Sequence, residues 1–175
     1  RDIAQRFNND FNSPDFLKVP EPLIQKHFSR IMSLKDGTKK MSKSDPSDLS
    51  RINLTDEKDE IVNKIKKAKT DTMSMPAPGE DLSKRPEIEN LLGIYSSLSN
   101  QSLDNTKKKF SGKNFSEFKE NLSELVVEKI NPISNEIKRL LDDETYLSNI
   151  LFEGFQKADK IASKKIKLMK EIIGF

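Results

Sequence analysis

The chain has 175 residues, 34% of them hydrophobic and 34% charged, with no cysteine, one histidine and a formal net charge of +3. That length fits one domain, or one domain with a fragment of another, and excludes a large multidomain enzyme. The missing cysteines exclude disulfides and thiolate metal ligands, the single histidine excludes most histidine-based catalysis, and no stretch approaches the ~18 apolar residues of a membrane span.

With 17 Leu, 16 Ile and 10 Phe the chain has enough apolar side chain to fold. A pI near 8.9 leaves room only for local basic patches. Residues 1–7, "RDIAQRF", read as the later part of an amphipathic helix with Ile3 and Phe7 on one face, so a piece of a longer protein is expected.

That helix should end near Asn8-Asn9-Asp10, because Pro14, Pro20 and Pro22 punctuate the next dozen residues. Residues 28–34, "FSRIMSL", alternate as a short strand with Phe28, Arg30, Met32 and Leu34 on one face, and His27 reads as a surface or strand-edge residue. Lys35-Asp36-Gly37 signals a turn into a lysine-rich loop that closes at Asp45-Pro46-Ser47-Asp48.

Thr55, ahead of Asp56, Glu57, Asp59 and Glu60, marks the start of a helix whose buried stripe is Ile61, Ile65 and Ala68. Residues 71–84 read as an exposed linker. Pro86 suits a helical first turn, and Ile88, Leu91, Leu92, Tyr95 and Leu98 form its apolar face. A short helix is expected from about Ser102 to Phe110, stopped at Gly112, and another from Phe115 to Ile130, with Pro132 kinking or restarting it.

The last helix, from Tyr146 or Phe155 to Ile173, sets Phe155, Ala158, Ala162, Ile166, Met169 and Ile173 toward a core and Lys157, Lys160, Lys164 and Lys167 on the opposite face. That lysine stripe is either a solvated back or a track for a phosphate backbone. Lys107, Lys108, Lys109 and Lys113 form a second cluster beside Phe110, Phe115 and Phe118, rings that suit a core better than base stacking.

The loop itself, "GTKKMSKSD" at 37–45, is by composition a solvated basic loop. The order of its residues says more. Lys40-Met41-Ser42-Lys43-Ser44 is identical to the KMSKS signature of class I aminoacyl-tRNA synthetases. "RDIAQRFN", "RIMSL", "DGTKKMSKSDPS", "NLLGIYSSLS" and the final "IIGF" extend the likeness along essentially the whole chain, which resembles the C-terminal half of the tryptophanyl-tRNA synthetase family.

The resemblance implies a mainly α fold. Residues 1–50 would be the last piece of a Rossmann-like α/β catalytic domain, and 51–175 a helical bundle of the anticodon-binding type. It implies an ATP site at Ile31, Lys40, Met41, Ser42, Lys43 and Ser44, with Lys40 and Lys43 catalytic. Activation of an amino acid expels pyrophosphate, and two ammonium groups three residues apart can meet the growing negative charge. Gly37 would let the loop hinge over the nucleotide.

The implied partners are ATP with Mg2+ as substrate, L-tryptophan and tRNA(Trp), reached through the two lysine clusters. A homodimer in the cytoplasm is expected at full length, with no tightly bound cofactor, resident metal or membrane. The chain departs from the family in having no His-Ile-Gly-His-type motif, only one apparent strand and none of the amino-acid pocket. Alone it should be inactive. The alternatives are a tyrosyl-tRNA synthetase fragment, a non-catalytic helical RNA-binding module, or a helical part serving only as scaffold and dimer support.

Overall fold

Most helices begin where the sequence supplies a cap or a proline, in a computed structural model that describes residues 1–24 and 29–175. Six α-helices are present among the described residues: α1 (Asp2–Asp10), α2 (Lys58–Lys67), α3 (Pro86–Ser99), α4 (Leu103–Phe110), α5 (Phe115–Asp142) and α6 (Glu144–Ile173). Pro86 opens α3, and Asn100 closes it in the left-handed conformation at φ 55°. The Ser102 side chain caps α4 and that of Asp143 caps α6, each accepting from the backbone N–H three residues on.

Thr55 is not the start of α2. Glu57 takes the N-cap position, and the Glu60 carboxylate reaches back to accept from its N–H at 2.7 Å. Nor does Pro132 end a helix, since α5 runs through it. The carbonyl that loses its proline-side partner belongs to Glu128, and both residues are exposed, so water can satisfy it.

The chain forms two compact units, residues 25–139 and residues 1–24 with 140–175. In the first of these Leu34 packs with Ile61, Ile65, Ile88, Leu91, Leu92, Tyr95, Phe110, Phe118, Leu122 and Val126 in one core. Phe110 stands edge-on to both Tyr95 and Phe118, with ring centroids 4.9 Å apart in each pair, so the rings considered for base stacking at 110 and 118 are core.

The segment 71–84 is anchored rather than a free linker. Met75, Pro76 and Leu82 are buried, and the buried Arg85 guanidinium binds Asp71 twice, at 2.8 and 2.9 Å, Glu80 at 2.8 Å and the Ser74 carbonyl at 2.8 Å. The Arg85 bond is the main cause holding the Asp71 carboxyl below its usual range.

In the other unit, the Asn8 carboxamide both accepts from Leu17 N–H and donates to Leu17 C=O at 2.9 Å, and Phe7 packs beside Phe11 and Phe16. The expectation that α6 turns a buried face to a core is overturned. It has no buried residue, and Phe155 and Ile166 are 61% and 51% exposed. Periodicity shows that a helix has an apolar face; only a neighbour can bury it.

Candidate functional site

Residues 29–34 do not form a strand; Arg30 sits in a bend, and Phe28 and His27 lie outside the described residues. A single antiparallel bridge joins Met32 to Lys40 instead. It is flanked by bonds from Ser33 N–H to Lys39 C=O at 2.8 Å and from Met41 N–H to Ile31 C=O at 3.0 Å. Too few residues pair for a strand, yet the bridge closes residues 32–40 into a hairpin that turns at 36–38 and leads into the rest of the lysine loop. It also brings together Ile31 and Met41, both expected to border a nucleotide.

The hairpin turn is fixed from within and from outside. Asp36 accepts from the Thr38 hydroxyl at 2.6 Å and the Thr38 N–H at 3.1 Å, and the hydroxyl bond is the main cause lowering its carboxyl pKa. Gly37 is buried, and its φ is not positive. A Cβ there would lie 2.5 Å from the Pro86 carbonyl carbon and the Glu87 nitrogen, so glycine is needed for close approach to the first turn of α3. The hinge expected at Gly37 is therefore a packed contact.

Four residues beyond Pro86, the buried Asn90 side chain binds Met32 twice. Its Oδ1 accepts from Met32 N–H at 2.9 Å, and its Nδ2 donates to Met32 C=O at 2.8 Å. The far side of the loop is held by cations. Arg51 donates to the Asp45 carbonyl at 2.9 Å and pairs with Asp48 at 3.0 Å. Lys64, only 3% exposed, meets Asp48 at 2.7 Å and Asp56 at 2.6 Å.

The hydrogen bond from Lys64 holds the Asp48 carboxyl below its usual value against the effect of burial. Burial pulls the Lys64 ammonium down, but the bonds to Asp48 and Asp56 outweigh it and its pKa is raised.

Between these anchors, beyond the paired residues, Ser42, Lys43 and Ser44 form the exposed tip of the lysine loop. Lys40 and Lys43 are exposed, and neither ammonium has a hydrogen-bond or ion-pair partner among the described residues. Ser42 and Ser44 share a hydroxyl–hydroxyl bond of 3.0 Å, and the Ser44 N–H donates to Ser42 Oγ at 3.3 Å, which shapes the tip.

The second lysine cluster is largely engaged. Lys107 is buried and donates to the Glu80 carbonyl at 2.7 Å. Lys109 binds the Tyr95 hydroxyl at 2.5 Å, and Lys113 pairs with Glu117 at 2.6 Å. Lys108 is exposed, as are Lys157, Lys160, Lys164 and Lys167 on α6.

Sequence reading missed Asn90, Lys64 and Arg51. The one available signal was for Asn90, a polar residue set among Ile88, Leu91 and Leu92 on a face that should be apolar.

A family model described as tRNA synthetases class I (W and Y) matches residues 1–131. The chain is 46% identical over its full length to the tryptophan–tRNA ligase of Caulobacter vibrioides, covering 51% of it, and 49% identical to that of Rickettsia conorii, covering 52%. Among solved structures, tryptophanyl-tRNA synthetase from Mycoplasma pneumoniae superposes with a TM-score of 0.84 at 28% identity, over all of this chain and 51% of that one. The chain thus spans about half the length of the curated relatives it matches, and it belongs to the class I tRNA synthetases of the tryptophan and tyrosine type.

Proposed function

We propose that the chain is the C-terminal half of a tryptophan–tRNA ligase, with residues 1–50 completing the catalytic domain and 51–175 forming the helical, tRNA-approaching domain. The observation that carries this reading is the lysine loop: Lys40 at the hairpin's bridge and Lys43 just past it stand exposed, and unpaired among the described residues, on a segment held at both ends. Such cations are arranged in advance of the charge they meet, which is where electrostatic catalysis draws its strength.

In the reaction proposed for the whole protein, a tryptophan carboxylate oxygen attacks the α-phosphorus of ATP, supplied as its Mg2+ complex. The bond to the bridging oxygen breaks, and pyrophosphate leaves with the electron pair. Lys40 and Lys43 neutralise that leaving group, while the Ile31–Met41 backbone pair borders the nucleotide and the Ser42 and Ser44 hydroxyls hold the tip in shape. The aminoacyl group then passes to a tRNA(Trp) hydroxyl with release of AMP. Lys108 and the α6 lysines are the proposed tRNA contacts, and Lys107, Lys109 and Lys113 have intramolecular duties.

No helix among the described residues is long and apolar enough to cross a membrane. We place the whole protein in the cytoplasm as a homodimer. The chain alone has no His-Ile-Gly-His-type motif to grip the triphosphate from the other side and is proposed to be inactive.

The test is ATP–pyrophosphate exchange by the full-length protein with tryptophan or tyrosine. Exchange with tryptophan only supports the reading. Exchange with tyrosine overturns its specificity, and RNA binding without exchange favours a non-catalytic module.

A further inference from the structure

We propose that Asn90 is a positioning residue for the reaction, acting through the base of the lysine loop; the proposal rests on the functional reading above. Met32 and Lys40 form the pair that exchanges no backbone hydrogen bonds, since the ladder bonds run from Ser33 to Lys39 and from Met41 to Ile31. In such a pair the N–H and C=O of Met32 point away from Lys40 and need partners elsewhere. The Asn90 carboxamide supplies both, at 2.9 and 2.8 Å, in the place an additional strand would take.

The grip is rigid because its support is. Asn90 is 5% exposed on a helix whose Ile88, Leu91 and Leu92 are at most 1% exposed, and the same helix receives Gly37 against its first turn. One helix therefore holds the hairpin at Met32 and at Gly37, and Lys40 and Met41 take their positions from Met32 through the bridge. A carboxamide of this length both accepts and donates at that separation at any pH: alanine does neither, and an ionised aspartate accepts from the N–H but repels the carbonyl.

The test compares full-length wild type, Asn90→Ala and Asn90→Asp by ATP–pyrophosphate exchange, thermal melting and amide hydrogen exchange. Both variants should lose about ten- to a hundredfold in kcat/KM for ATP at pH 8, the scale of an approximately 1 Å misplacement, with KM for tryptophan unchanged.

Asn90→Asp should recover toward wild type as the pH is lowered and its carboxyl gains a proton to donate to Met32 C=O, whereas Asn90→Ala should not. Arg30, Glu89, Asp104 and Lys107 line the same cleft, Glu87 flanks Gly37 and Lys40 faces Met32, so each rate is taken as a ratio to wild type at the same pH. In Asn90→Ala the amides of Met32, Ser33 and Met41 should exchange about tenfold faster while that of Leu92 stays protected.

Variants with wild-type kinetics, or an equal loss for tryptophan and ATP together with a melted α3, overturn the proposal. A wild type without tryptophan-dependent exchange overturns the functional reading instead, and the amide exchange then decides by itself whether Asn90 fixes the loop.

Discussion

Two lysine-rich stretches of nearly equal composition meet opposite fates. At 107–113 three of four lysines are bound within the chain, to the Glu80 carbonyl, the Tyr95 hydroxyl and the Glu117 carboxylate. At 39–43 Lys39 pairs with Asp36 at the hairpin turn, and Lys40 and Lys43 stand beyond it with no partner among the described residues. The difference lies in the backbone. On a helix packed against the core, a long side chain finds a carbonyl or a ring within reach, whereas Lys40 at the bridge and Lys43 just past it lie on an exposed stretch that offers neither. Cations serving the fold and cations proposed for a ligand thus differ in what holds them.

The strongest way to break this contrast is to remove the free cations. In the full-length protein, Lys40→Ala and Lys43→Ala should each lower kcat for ATP–pyrophosphate exchange by about 10²–10³, the usual cost of one transition-state donor, with the melting temperature unchanged. A lower melting temperature in either variant would place these lysines with the structural ones.

Next comes Lys64, the most enclosed of the structural cations. Lys64→Met strips Asp56, itself 6% exposed, of its charge partner and should cost roughly 3 kcal/mol in urea unfolding. Asp56 keeps two bonds from Asn53, which limits the loss.

Lys64 and its other partner, Asp48, give a pH dependence. The Asp48 carboxyl is held below its ordinary value in the fold by the bond from Lys64, so its contribution is complete above the unfolded value near 3.8 and fades as the pH falls toward the lower native one. Lys64 stays charged throughout that window, which lies far below the ordinary lysine value of 10.5. Thermal melts of wild type below about pH 4 should therefore drop more steeply than those of Lys64→Met.

A smaller effect is expected at Lys107. Lys107→Met removes a bond to the Glu80 carbonyl but preserves much of the buried stem, so about 1–2 kcal/mol should be lost, with exchange kinetics kept below the melting temperature.

Much of the fold was legible because its signals are local. The prolines after Asp10, Pro86 at the start of α3 and Ser102 ahead of α4 state their roles within a few residues. The loop was legible for a different reason: its five residues in order are a signature in themselves. What stayed hidden depends on long-range contacts. Asn90 and Met32 are 58 residues apart, and Arg85 gathers Asp71, Glu80 and Ser74 from a segment that reads as a linker. The bridge at Met32 passed for a strand because alternation records side-chain direction but not how many residues find a partner.

The faintest effect belongs to α6, whose Lys157, Lys160, Lys164 and Lys167 resemble the loop lysines in being exposed and unpaired among the described residues. If they meet the tRNA backbone, each neutralises a phosphate and releases counterions. Lys160→Ala and Lys164→Ala in the full-length protein should then each reduce the slope of log affinity against log salt by roughly one, whatever the tRNA sequence. Lys107→Met, whose cation is already committed to Glu80, should leave that slope alone. Equal slopes in all three variants would return α6 to the solvated backs of ordinary helices, and exposure without a partner would then mark a ligand site only where, as at the loop, the backbone beneath it is fixed.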